Sequence, residues 1–222
     1  MKTRQKLIIG AALFCVGSGA AFAADPTTAT IIKKEDVDKV LQLGPKATDH
    51  TIRVMDMGQG YNMSVAVVHR GTTHNPPPAR TPEQVAAAAA AAAKNPACGL
   101  ATAPAGAKTG PSGMLAHTST AETYIVIAGA GTLVTGGQIL TGRMSPADSE
   151  VTTTLNGPTC GGKAVGNFIM TPVKVGDIAV IPAGVPHGWS DIPTEVTYLS
   201  VRPDPKHVLP KAGYVYPGLA AK

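Results

Sequence analysis

No basic stripe with interleaved aromatic residues runs through this chain. Aromatic residues make up only 4% of its 222 positions, and its lysines and arginines are scattered. Nucleic acid is therefore excluded as an expected partner. Cysteine is nearly absent as well. Cys15, Cys98 and Cys160 are the three, and none stands in CxxC spacing, which argues against a zinc finger or a dithiol redox motif. No dinucleotide fingerprint is present. Gly129, Gly131 and Gly136 have the wrong spacing and lead into a strand pattern, so they read as hairpin glycines. No Ser/His/Asp arrangement stands out. Apolar runs long enough to span a bilayer are also lacking, since residues 7–16 are too few.

That short run has another reading. Lys2, Arg4 and Lys6 precede it, and Ala21-Phe22-Ala23 follows as a small-x-small cleavage site. Residues 1–23 thus read as a signal peptide, and the mature chain as periplasmic or secreted, with no membrane association after cleavage. Cleavage removes three of the charges behind the formal +5. It also removes Cys15 and leaves Cys98 and Cys160 as an even pair in an oxidising compartment, which predicts one disulfide.

What is present is mostly strand-like. After a lead-in over residues 24–49 with a helical pattern at 34–43 ended by Gly44-Pro45, the period changes to two. Strands are expected at 51–57, 61–69, 113–117, 122–128, 131–136, 165–170, 177–182 and 195–202, separated by Gly/Pro turns. Two insertions break the pattern. Residues 71–112 carry the stiff Pro76-Pro77-Pro78 piece, a capped helix over 81–94 with eight consecutive alanines, and a loop at 101–112. Residues 137–164 form the second insertion, and the disulfide would tie the two together. Residues 206–222 form a tail. The expected class is all-β, a sandwich or barrel with short helical insertions.

Two segments carry chemistry. Residues 176–187 read as an apolar strand, a Pro/Gly turn and a histidine, His187, delivered just past it. Upstream, His117 is followed by polar Thr118-Ser119-Thr120 and then by Glu122. Five positions apart on one strand, His117 and Glu122 would face opposite ways, but the polar stretch permits a bend that turns both inward. Two histidines and a carboxylate can hold a divalent metal. Tyr124, on the face of Glu122, and Trp189, two past His187, are pocket candidates. His69 shares a strand face with Val65 and Val67 and is a further pocket candidate, either a structural residue or an additional ligand.

These segments resemble the two motifs of the cupin superfamily. Gly176, Pro182, Gly184 and His187 match the second motif, with Asp191 where asparagine is usual. Gly113, His117, Glu122 and Gly129 keep the order and spacing of the first, but Leu115 stands where a second histidine is usual. The resemblance covers about residues 50–205. It implies a cupin-type β-barrel (double-stranded β-helix, or jelly roll) with a divalent metal (Fe, Mn or Zn) in its mouth, held by His117, Glu122 and His187. A small polar ligand or substrate would be its partner, and a homodimer is expected by analogy. A metal-dependent oxygenase, decarboxylase or isomerase is one functional expectation. A non-catalytic ligand-binding cupin and a metal-free structural barrel are the others.

Overall fold

The computed structural model describes residues 26–43, 49–75 and 78–219. The expected signal peptide, the Gly44-Pro45 helix stop and Pro76-Pro77 lie outside those residues. Helix α1 (Lys34–Leu43) forms at the expected position and buries Val37 and Val40. They pack with Ile52, Val67 and Leu219 on the outer face of β1 (Asp49–Asp56) and β2 (Asn62–Gly71). Helix α2 (Pro82–Ala93) starts from a capping box between Thr81 and Gln84 and buries none of its side chains. Alanine propensity and the cap hold it, not packing.

The remaining strands are β3 (Ala97–Cys98), β4 (Thr109–His117), β5 (Glu122–Met144), β6 (Thr159–Lys174), β7 (Ile178–Ile181), β8 (His187–Asp191) and β9 (Glu195–Asp204). All pairings between these strands are antiparallel. β5 joins two sheets. Its first part, up to Gly129, pairs with β7 and β9, and β9 continues through β2 to β1. From Ala130 onward it pairs with β6 and β8. Because β6 also pairs with β4, and β4 with β8, the ring β5–β6–β4–β8 closes on itself. Between the sheets lies an apolar core that includes Val68, Tyr124, Val126, Leu133, Ile181, Val196 and Tyr198.

Two expectations change here. The hairpin placed at Gly129–Gly131 does not exist: β5 runs on and swings from one sheet to the other. Gly129 has φ +68, and a Cβ there would lie 2.0 Å from the Glu195 carbonyl oxygen, so only glycine permits the crossing. The second insertion is also shorter than expected. Residues 137–144 extend β5 and 159–164 open β6, leaving a connection of 145–158 with one π-helical turn at Val151–Leu155. Gly136 and Gly137, both at positive φ, sit at a register shift that keeps this long strand paired. Glycine-rich, period-two sequence reads as turns, whereas here the glycines bend a strand.

The disulfide is present. Cys98 and Cys160 are bonded with their Cα atoms 6.0 Å apart, closing 62 positions of chain. It pins the two-residue β3 to the barrel wall, where Gly142 leaves room for the sulfur: a Cβ there would stand 2.9 Å from Cys160 Sγ. Among the described residues, no helix is long and apolar enough to cross a membrane.

Candidate metal centre

His117 is the last residue of β4 and Glu122 the first of β5. The polar link between them is pinned by the 145–158 connection. Thr118 donates its amide and hydroxyl to the Pro158 carbonyl, and Thr120 donates to the Asn156 carbonyl. The chain therefore bends between the two residues, and both end up inside. His187 opens β8 after the Pro182–Gly184 turn. Gly184, at φ +81, donates its amide to the His117 carbonyl at 2.7 Å, so one motif is locked directly to the other. His187 then pairs across to Leu115 on one side and Thr135 on the other.

The three side chains meet. Glu122 Oε2 lies 3.2 Å from His117 Nε2 and 3.1 Å from His187 Nε2, and all three are almost wholly buried. Their hydrogen-bond partners fix which nitrogens carry protons. His187 Nδ1 faces the Val185 carbonyl at 3.0 Å, and a carbonyl only accepts. His117 Nδ1 faces the Thr159 hydroxyl at 2.8 Å, whose one proton goes to the Gly157 carbonyl. Both imidazoles must donate from Nδ1, so both neutral rings turn a bare Nε2 lone pair toward Glu122. Glu122 Oε2 and His187 Nε2 have no hydrogen-bond partner. Burial lowers the His117 pKa, reinforced by His187 and Arg202 and opposed by Glu122, which favours the neutral ring.

Glu122 stays ionised. Burial pushes its pKa up, but Arg202 and the two histidines outweigh this and hold it well below the usual carboxylate range. Arg202 Nε and the Ser200 hydroxyl both donate to Oε1, which leaves Oε2 to face the histidines. Arg202 is itself fully buried. A small cavity of about 70 Å³ opens beside the trio, lined among others by Asp49, Arg70, Leu115, Tyr124, Trp189 and Tyr198. Arg70 is paired with Asp49 at 2.7 Å. Burial pushes the Tyr198 phenol up to about 12 and raises Tyr124 well above its usual value, so both remain protonated donors.

Three donors of suitable type thus converge with their lone pairs inward, in the interior of a closed antiparallel barrel. One comes from the strand end and one from the bend of the first motif, and the third follows the turn of the second. A closed antiparallel barrel of this kind is the fold that the resemblance of the two sequence motifs implies. His117, Glu122 and His187 form a group able to hold a metal ion, with ligand atoms all within 4.8 Å of one another. Tyr124 and Trp189 line the cavity. His69 does not. Val68 and Arg70 face the barrel interior, so the period of two turns His69 to the opposite face, where it bonds Thr197 and lies 3.9 Å from Glu195.

Arg202, Ser200, Thr159 and Asn156 were not anticipated. For Ser200 and Arg202 a signal existed: within the expected strand 195–202 they share a face with Tyr198, which would place an arginine inside a barrel.

No protein-family model and no curated protein matches the chain. Several solved structures are similar in fold. A Bacillus halodurans protein is 11% identical, with 86% of this chain and 92% of that one covered and a TM-score of 0.36. A conserved protein from Klebsiella pneumoniae with a double-stranded β-helix domain is 16% identical, covering 82% and 94%, with a TM-score of 0.35. Hydroquinone 1,2-dioxygenase from a Sphingomonas species, with 4-hydroxybenzoate bound, is 9% identical, covering 87% and 91%, with a TM-score of 0.37.

Proposed function

We propose that this chain is an exported cupin that binds a divalent metal, iron, manganese or zinc, through His117, Glu122 and His187. Its remaining coordination positions would serve a small polar ligand or substrate. One observation carries the reading: Glu122 Oε2 and His187 Nε2 are buried without a hydrogen-bond partner and face each other at 3.1 Å, with His117 Nε2 3.2 Å from the same oxygen, and a cation resolves that conflict. The spacing supports it. Two donors each about 2.1 Å from one ion in adjacent octahedral positions stand about 3.0 Å apart, and about 3.4 Å apart in a tetrahedron. The separations of 3.1 and 3.2 Å lie between.

Leu115 lines the same cavity and offers no donor, so at least one position remains open, and three in an octahedral site. A bound ion would act there as a Lewis acid or as a centre for oxygen chemistry. The chain's own residues orient it. Thr159 and Val185 set the imidazole tautomers, and Arg202 with Ser200 hold Glu122 in a one-oxygen mode. Export is supported by the leader sequence and by a disulfide in a chain with only two other-than-leader cysteines. The homodimer is supported by a contiguous exposed apolar strip on β6 and β7.

Elemental analysis after gentle purification tests the centre. One metal per chain is expected, and its loss in His187→Ala with the barrel still folded. Equal metal content in both proteins refutes it. A second reading, a metal-free binding barrel, has one observation in its favour: Arg202 already neutralises Glu122. Persistent absence of metal after reconstitution would decide for it.

A further inference from the structure

Beyond β9 the chain turns back across the β1–β2 hairpin. Asp204 accepts the amides of Val208 and Leu209, and His207 Nε2 donates to the carbonyl of Gly60 in the hairpin turn at 2.9 Å. The chain then runs antiparallel beside the outer edge of β1. Gly213 donates its amide to the Val54 carbonyl at 2.9 Å, Val54 donates to the Tyr214 carbonyl at 3.1 Å, and Tyr216 donates to the Ile52 carbonyl at 2.9 Å. Val215 pairs with Arg53 between them. Val215 and Tyr216 pack against the apolar cluster beneath α1, and Leu219 is buried within it. Residues 213–219 therefore form a strap that takes up the hydrogen-bonding groups of the β1 edge. At the far end of the same sheet, β7 pairs with β5 alone among the described residues. A sheet open at both edges can add copies without end, whereas a single open edge is used up by one two-fold pairing.

We propose that residues 213–219 are an assembly block: they occupy the β1 edge and so confine self-association to one closed contact at the opposite end of the sheet. The stop at two chains rests on the proposed homodimer. The occupation of the β1 edge stands on the backbone bonds alone.

Deletion of residues 212–222 tests this, with the undeleted protein as reference. Sedimentation velocity is read from low to high micromolar concentration, and circular dichroism checks that the barrel remains. The deleted protein is expected to form species larger than the undeleted one. Val180→Asp places a charge on the exposed face of β7 and disfavours that contact. Combined with the deletion, it is expected to give two chains joined through β1. A synthetic peptide of residues 211–219, added in molar excess, is expected to return each deleted protein to its undeleted value. The same peptide methylated at the Tyr216 amide lacks the donor for Ile52 and is expected to fail. A folded deletion protein that sediments like the undeleted one at every concentration overturns the block, and so do larger species indifferent to the peptide. Should the deletion unfold the barrel, Gly213→Val decides. Gly213 has φ +90 and nothing within 4 Å of a Cβ, so valine strains the entry to the strap without a clash. Stronger self-association than wild type is expected, and unchanged sedimentation overturns the proposal. A wild type that is monomeric but associates once residues 212–222 are gone supports the block and removes the homodimer.

Discussion

Leu115 lines the cavity beside His187, its partner in the β4–β8 pairing. Leu115→His would present a fourth donor on this wall. Metal affinity is expected to rise by on the order of tenfold, about 1.4 kcal/mol, measured in a metal-buffered titration. An unchanged affinity would show that the position does not reach the ion. Acid stability of chelator-treated protein is a second residue-scale test. The folded-state pKa of His117 lies below its usual value, so between roughly pH 6.5 and that lower value the unfolded chain takes up a proton that the folded chain refuses. Stability is therefore present above about pH 6.5 and is lost as pH falls through the folded value. The melting temperature should decline over that window in wild type and decline less in His117→Gln. Parallel profiles would refute the assignment. The trio itself was legible in the sequence because turn chemistry and a polar bend dictate where His187, His117 and Glu122 go. Arg202 was legible only in part: its strand face is shared with Tyr198, but its partner Glu122 lies eighty positions away in sequence and is supplied by the fold.

At the scale of elements, local signals were readable where they were local in cause. The capping box and alanines of α2 need no tertiary context, and α1 forms where its apolar spacing places Val37 and Val40 on one face. The long β5 was not readable, because its glycines respond to a neighbouring carbonyl and to a register shift with distant strands. His69 failed for a related reason. The period of two is visible in sequence, but which face becomes the interior is set by β9 and α1. Since α2 buries nothing, replacing residues 81–94 with a Gly/Ser linker should change barrel stability by no more than about 0.5 kcal/mol. A larger loss in denaturant unfolding would mean that the helix packs on something. The disulfide behaves oppositely. Cys98→Ser opens a loop of 62 positions, and the chain-entropy model gives roughly 4 kcal/mol of destabilisation. Unfolding midpoints equal to wild type would contradict that.

For the whole molecule, burial and pairing leave one face incomplete. Among the described residues, β6 pairs with β4 only as far as Val165, and beyond it has β5 alone as partner, while β7 pairs only with β5. On these strands Ile169, Ile178 and Val180 are 66%, 63% and 73% exposed, and all three line one apolar groove. Isolated surface apolar residues need no explanation, but a contiguous strip beside open strand edges is a surface that other proteins cover. The proposed homodimer would cover it with the same strip of a second copy, in a self-complementary arrangement. Sedimentation velocity of wild type should then give twice the 22.5 kDa scale of one chain, less the leader. Val180→Asp places a charge at the centre of the strip without touching the buried core. It should shift the protein to monomer while its metal content stays the same. A wild type that sediments as monomer at high micromolar concentration, or a Val180→Asp protein that stays dimeric, would place the contact elsewhere or remove it.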